Sequence, residues 1–246
     1  MLHWFHKNRY LADYLEGFVD IHNHILPGID DGANSVAESL ELVHAFGELG
    51  IQKFIATPHI LQPLYPNTPE TIHHAHGQLM DALMDEGLRN VSIEPSAEHM
   101  IDEGFEDLIT AGNYMPIKGS YLLVEMSYLQ PSLYFDEAIV EIANRGLTPV
   151  LAHPERYMYL HQTPKKYQEF KNKGILFQMN MLSLGDYYGK DIRRMGQKLL
   201  EQGMIDFIAS DMHNMRHMNA MRETIVKEKD MDEILPSVKN TIETFF

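Results

Sequence analysis

His22 and His24 stand two residues apart at the end of the run Val19-Asp20-Ile21-His22-Asn23-His24, and the following loop returns Asp30 and Asp31 just after Leu26-Pro27-Gly28. The run alternates and is rich in β-branched apolar residues, so it reads as a strand that stops at the Pro-Gly and Asp-Asp-Gly turns. Side chains two apart on a strand share a face, which sets two imidazoles side by side at its carboxyl end with Asp20 below them. Imidazole beside hard carboxylate oxygens suits zinc, manganese or iron. A surface His-x-His next to a solvated acidic turn would present the same residues, so the rest of the chain has to decide.

Six further segments read as strands: residues 51–57 leading into Pro58-His59, then 91–98, 121–126, 148–154, 175–180 and 206–213. They end at His59, Glu98, Glu125, His153, Asn180 and the pair Asp211 and His213, so six of the seven strands finish in a His, Asp or Glu. Helical periodicity covers residues 35–49, 69–87, 135–145, 164–173 and 192–202, and residues 216–246 read as two helices broken near Pro236. Residues 101–118, with Gly104, Gly112 and Pro116, read as an irregular insertion, and His73, His74 and His76 as the solvated face of their helix. Seven strands alternating with helices imply an α/β fold with a parallel sheet, and this many units favours a closed barrel. Functional residues in such barrels come from the carboxyl ends of several strands, so the recurrence lifts the metal reading above the solvated turn.

The totals fit one domain, since 246 residues with 44% hydrophobic content bury a sizeable core. We divide the chain into an N-terminal extension over residues 1–17 and one domain over 18–246. A formal charge of -15, from 20 basic and 35 acidic residues, argues against nucleic acid and against a polybasic membrane anchor. There is no cysteine, so neither a disulfide nor a thiolate ligand or nucleophile is available. The first ten residues lack the pattern of a signal peptide, and no window approaches the ~18 apolar residues of a membrane span, which makes the cytoplasm the expected location.

Five motifs occur in order: residues 22–32, Thr57-Pro58-His59, Ala97-Glu98, Leu151-Ala152-His153-Pro154-Glu155-Arg156 and Ser210-Asp211-Met212-His213-Asn214. Together they resemble the PHP (polymerase and histidinol phosphatase) superfamily. Within it the pattern is most similar to the CpsB/YwqE-type bacterial protein-tyrosine phosphatases of capsule and exopolysaccharide clusters. The resemblance implies a distorted TIM-like (β/α)7 barrel holding three divalent metals, manganese or iron and sometimes zinc. It implies a first metal held by His22, His24, Glu98 and Asp211, a second by Asp31, His59 and His213, and a third by Glu125 and His153 with Glu98 shared. Asp31 is preferred to Asp30 on that pattern alone. Arg156 matches a phosphate-binding arginine, and Arg216 lies close to where relatives carry a second one. Ile60-Leu61-Gln62 departs from the family, where a further His or Arg is common. The implied substrate is a phosphotyrosine protein, such as the tail of a bacterial tyrosine kinase.

Five neutral imidazoles, four carboxylates and three divalent ions leave a site of about +2, suited to a dianion. A phosphate monoester has its second pKa near ~6 and is mostly dianionic at neutral pH. Ions about 3.5–4 Å apart can hold its oxygens and a bridging hydroxide while Arg156 forks onto the rest, giving in-line hydrolysis without a phosphoenzyme. A small phosphate ester such as histidinol phosphate would fit the same metals. An amidohydrolase is disfavoured because Lys118 precedes its strand and Asp211 comes paired with His213. A binding barrel without turnover is disfavoured because no expected ligand position is apolar. Tyr65, Tyr128, Tyr157, Tyr159, Tyr187 and Tyr188 could line an aromatic entrance or serve as packing.

Overall fold

In a computed structural model that describes residues 9–246, the inward face of the barrel is set by simple alternation. On β7 (Tyr121–Glu125), β8 (Thr148–Ala152) and β10 (Phe207–Ala209), labelled with the strands given below, Leu123, Val150, Ala152, Phe207 and Ala209 pack in a small inner cluster. Their neighbours Leu122, Val124, Leu151 and Ile208 join the larger outer cluster under the helices.

The remaining strands are β1 (Arg9–Tyr10), β2 (Val19–Asp20), β3 (Lys53–Ala56), β4 (His59–Ile60), β5 (Ser92–Pro95), β6 (Glu98–Met100), β9 (Leu176–Asn180) and β11 (Ile225–Val226). Two expected strands are each split in two. Thr57-Pro58 separates β3 from β4, and Ser96-Ala97 separates β5 from β6. Pro58 has no N–H to offer a ladder, which accounts for the first break. The lower halves form the parallel sheet β2-β3-β5, and the upper halves enter the parallel sheet β10-β9-β8-β7-β6-β4. The ring closes where Asn23 bridges Met212 in parallel, with Asp211 N–H donating to His22 O (2.8 Å) and His24 N–H donating to Met212 O (2.8 Å). The result is the distorted parallel α/β barrel expected from the strand count.

Helices α1 (Val36–Gly47), α2 (Pro69–Asp85), α4 (Phe135–Asn144), α6 (Lys165–Asn172) and α7 (Lys190–Glu201) follow the periodic segments. Ser35 caps α1 by accepting from Glu38 N–H, and Pro69 opens α2 behind the Thr68 cap. Two expectations are corrected. Residues 101–118 contain α3 (Phe105–Ala111), in which Gly104 and Gly112 cap the ends and Phe105 and Ile109 face inward; Gly112 takes the left-handed φ of 75° that closes a helix. Pro236 does not break the last helix. After α5 (Met158–His161) and α8 (Met215–Glu223), the chain stops at β11 and then runs through α9 (Glu228–Phe245) with Pro236 inside it. A mid-helix proline costs about 3 kcal/mol, and here α9 is tied to the barrel by the turns that follow it. Ser237 Oγ donates to Ile205 O (2.9 Å), Asn240 Nδ2 to Asp206 O (2.9 Å), and Ile208 N–H to Thr241 Oγ1 (3.0 Å).

Of the segment set apart as an extension, residues 1–8 lie outside the described residues. Residues 9–17 pack onto the barrel, with β1 antiparallel to β11 and Leu11 and Leu15 buried in the outer cluster. On α2, His73 and His74 are exposed, whereas His76 is half-buried and donates to Ile93 O (2.9 Å).

His99 on β6 is wholly buried, its Nδ1–H donating to Leu123 O (2.9 Å) while Nε2 accepts from Met115 N–H (3.2 Å). Both contacts require the neutral ring, and burial pushes its pKa down to about 4. The unfolded ring titrates near ~6.5, so this stabilisation is complete above that pH and is lost as pH falls through about 4. In metal-free protein, lowering the pH from 7.5 to 4.5 is expected to cost the native chain up to about 3 kcal/mol more than it costs His99→Gln, read by urea unfolding. Equal losses would contradict it.

Candidate metal centre

The expected ligands reach the same end of the barrel from six strand ends and the loop after the first of them. Glu98 is the hub. Its Oε1 lies 3.0 Å from His153 Nε2, and its Oε2 lies 3.2 Å from His22 Nε2, 3.6 Å from His24 Nε2 and 3.0 Å from His59 Nδ1. Asp211 Oδ1 lies 3.4 Å from His22 Nε2 and 3.3 Å from His24 Nε2. Asp31 Oδ1 lies 3.4 Å from His59 Nε2 and 3.5 Å from His213 Nε2, and Glu125 Oε1 lies 2.9 Å from His59 Nδ1. Four groups have donor atoms mutually within 4.8 Å: His22, His24 and Asp211; His22, Glu98 and His153; His59, Glu98 and Glu125; and His24, Asp31, His59 and His213. Glu125 and His153 thus each share a group with Glu98, through different histidines.

The second nitrogens of three histidines are already committed. His22 Nδ1–H donates to Gln178 Oε1 (2.7 Å), His24 Nδ1–H to Asp30 Oδ2 (2.7 Å) and His213 Nδ1–H to Asp211 O (2.9 Å). Oxygens of this kind only accept, so in the neutral ring each Nε2 turns its lone pair toward the cluster, the arrangement of a metal-bound imidazole. Asp30 therefore orients His24 and also accepts from His59 N–H (3.1 Å) and Gly32 N–H (2.9 Å), whereas Asp31 faces the rings.

Local backbone is bent to achieve this. Among the described non-glycine residues, positive φ occurs at Lys118, His153 (36°) and Asp211 (53°), and the last two carry donor atoms. Gly32 cannot be anything larger, because a Cβ there would lie 2.0 Å from His24 O.

Glu98 Oε2, Glu125 Oε1 and His59 Nδ1 are buried and close together, yet none has a hydrogen-bond partner. Atoms so placed could hold a common cation. The electrostatics agree. Burial works against the charge on Glu98 and Asp211, yet neighbouring His22 with His59, and His22 with His213, hold them well below the usual carboxylate range. Burial likewise opposes protonation of His24, and Asp30 overrides it, lifting the ring to about 10. Buried carboxylates at this density demand positive charge, which divalent ions supply.

A model of the family "Capsular polysaccharide synthesis, CpsB/CapC" matches residues 18–235. The chain belongs to the CpsB/CapC family. The tyrosine-protein phosphatase YwqE of Bacillus subtilis (strain 168) is 31% identical over 221 residues, covering 89% of this chain and 87% of that protein. The tyrosine-protein phosphatase CpsB of Streptococcus pneumoniae is 26% identical over 211 residues, covering 80% and 83%. A crystal structure from work on YwqE of B. subtilis and CpsB of S. pneumoniae, described as metal-dependent tyrosine phosphatases, superposes with a TM-score of 0.80 at 28% identity over 92% of this chain and 93% of the other. Histidinol phosphate phosphatase from Lactococcus lactis shares the fold, with a TM-score of 0.52 at 14% identity over 91% and 93%.

In this CpsB/CapC chain a cavity of about 280 Å³ opens onto the donors, lined among others by Asp31, His59, Tyr128, Arg156, Tyr188 and His217. Arg156 lies in it with its side chain 19% exposed, donating to Asp211 Oδ2 (2.8 Å). Arg216 does not line it. That side chain is exposed, 5.9 Å from the Tyr187 ring, and His217 lines the cavity instead. Of the six tyrosines, Tyr128 and Tyr188 line the cavity and Tyr65 stacks on His59 at 5.6 Å. Tyr157 is buried packing that accepts from Met126 N–H, Tyr159 donates to Ser127 O, and Tyr187 packs edge-on to Tyr188 and His217.

The residues that sequence reasoning missed lie on β9, the one of the seven strands expected from the sequence that lacks a terminal acid or histidine. Phe177 and Met179 pack outward, which turns Gln178 and Asn180 inward. Asn180 Nδ2 donates to Asp211 Oδ2 (2.6 Å), and Gln178 Nε2 donates to Asn180 Oδ1 (3.0 Å). The signal was two amides alternating in an otherwise apolar strand. Gln178→Leu is expected to weaken metal affinity about 10–100-fold by freeing the His22 ring, as read by competition with a chelator. Unchanged affinity would contradict that role.

Proposed function

We propose that the chain is a metal-dependent tyrosine-protein phosphatase serving capsule or exopolysaccharide synthesis. The observation that carries the reading is the set of buried donor atoms on Glu98, Glu125 and His59, close together without a hydrogen bond between them, beside a cavity roomy enough for a phosphate that Arg156 lines. The names and descriptions of YwqE and CpsB support the reaction class.

In this reading three divalent ions are held, with manganese favoured and iron or zinc possible, by a His and carboxylate set without thiolate. His22, His24, Glu98 and Asp211 hold the first, Asp31, His59 and His213 the second, and Glu125, His153 and the shared Glu98 the third. Divalent ions held there would supply positive charge for the phosphate dianion and would lower the pKa of water toward neutrality. Arg156 grips the phosphate oxygens, its guanidinium matching their spacing. Gln178, Asp30 and Asn180 hold the donors in register. Arg216, exposed beside Tyr187, has no part in holding the phosphate in this reading. Tyrosine, with a pKa near ~10, leaves without obligatory protonation.

A bacterial tyrosine kinase tail suits the reading as substrate, and a tail phosphorylated with ATP would be met on the cytoplasmic side. None of the helices among the described residues is long and apolar enough to cross a membrane. The catalytic unit spans residues 18–246, with residues 9–17 sealed onto it by Leu11 and Leu15. Manganese-loaded protein is expected to release phosphate from a phosphotyrosine peptide far faster than from a phosphoserine peptide or histidinol phosphate. Fastest release from histidinol phosphate would move the substrate to a small ester.

A further inference from the structure

We propose that Tyr128 and Tyr188 are positioning residues that clamp the guanidinium of Arg156 and so preset it for phosphate. The inference rests on the phosphatase reading for its ligand and on observed geometry for its parts. Arg156 Cζ lies 4.5 Å from the centroid of the Tyr128 ring and 4.2 Å from that of Tyr188. Tyr128 comes from the loop after β7, Arg156 from the 3-10 turn after β8 and Tyr188 from the loop after β9, so three adjacent strands build the device. Asp211 Oδ2 fixes one edge of the guanidinium, and Asp211 Oδ1 faces His22 and His24. The Tyr128 hydroxyl lies 3.1 Å from His153 Nε2, which ties that ring to the donor cluster as well.

An arginine this far out of water is stabilised by π-faces, and such contacts strengthen when desolvated. The flanking rings also remove the side-chain freedom that would otherwise be lost when phosphate binds, so the fork is pre-organised. The competing explanation is direct contact, because the Tyr188 hydroxyl is buried without a hydrogen-bond partner and could donate to a bound phosphate. Ring and hydroxyl are separable by substitution.

The test is calorimetric titration of inorganic phosphate into metal-loaded protein, alongside kcat and KM for a phosphotyrosine peptide. Tyr188→Leu is expected to weaken phosphate by about tenfold and to raise KM more than it lowers kcat, with metal content unchanged. Tyr188→Phe is expected to restore the affinity. In an Arg156→Ala background, adding Tyr188→Leu is expected to cost nothing further, since the ring acts through the arginine. The clamp is overturned if Tyr188→Phe is as weak as Tyr188→Leu, if the losses simply add, or if Tyr188→Leu loses metal. A wild-type protein that binds phosphate but hydrolyses no phosphotyrosine would sink the phosphatase reading, while the titrations would still judge the clamp.

Discussion

The Glu98→Gln protein is expected to hydrolyse phosphotyrosine about a thousandfold more slowly than the native chain and to purify with less metal, since bound ions supply several kcal/mol of transition-state stabilisation. The argument is geometric. One carboxylate approaches four imidazoles, His22, His24, His59 and His153, at 3.0 to 3.6 Å, and is wholly buried. Glutamine keeps the volume and one oxygen but loses the charge, and it turns N–H donors toward ring nitrogens whose lone pairs already point inward. A shared ligand cannot be replaced by half of itself. Full metal content with a rate within tenfold of the native one would show that Glu98 bridges nothing.

Gly32→Ala is expected to have the next largest effect, a destabilisation of about 3 kcal/mol with loss of at least one metal equivalent. The new Cβ would lie 2.0 Å from His24 O and 2.5 Å from His24 Cβ, a clash with backbone that no side-chain rotation relieves. The loop is fixed at both ends, Gly28 N–H donating to Ala33 O (2.7 Å) and Ala33 N–H to His24 O (3.1 Å). Any shift pulls Asp30 from the His24 ring and Asp31 from His59 and His213. Gly77 on α2 makes the control, since a Cβ there meets nothing within 4 Å. Gly77→Ala should stabilise by up to about 1 kcal/mol with activity intact. Equal urea midpoints for native and Gly32→Ala protein would refute the cradle.

The strand ends were legible because barrel chemistry sits at the carboxyl ends of parallel strands, so a recurring His, Asp or Glu there carries positional meaning. Eight such residues, joined by Asp31 from the first loop, converge on one end of the barrel. The division of labour between Asp30 and Asp31 was not legible, because adjacent acids in a loop differ only in which way the turn faces them. Gln178 and Asn180 escaped notice because an amide orienting a ligand has no ligand-like signature of its own. Pro236 was read as a break because local propensity says so, and the contacts of Ser237, Asn240 and Thr241 with the barrel outweighed it. Arg216 rests only on the resemblance, where relatives carry a second arginine nearby, but Asn214 caps α8, and the helix turns His217 rather than Arg216 into the cavity.

The most direct test of the account measures metal content together with phosphate release from a phosphotyrosine peptide, before and after treatment with a chelator. The account predicts close to three divalent equivalents per chain, release abolished when they are stripped, and release restored on adding manganese. Undiminished release by metal-free protein would contradict it.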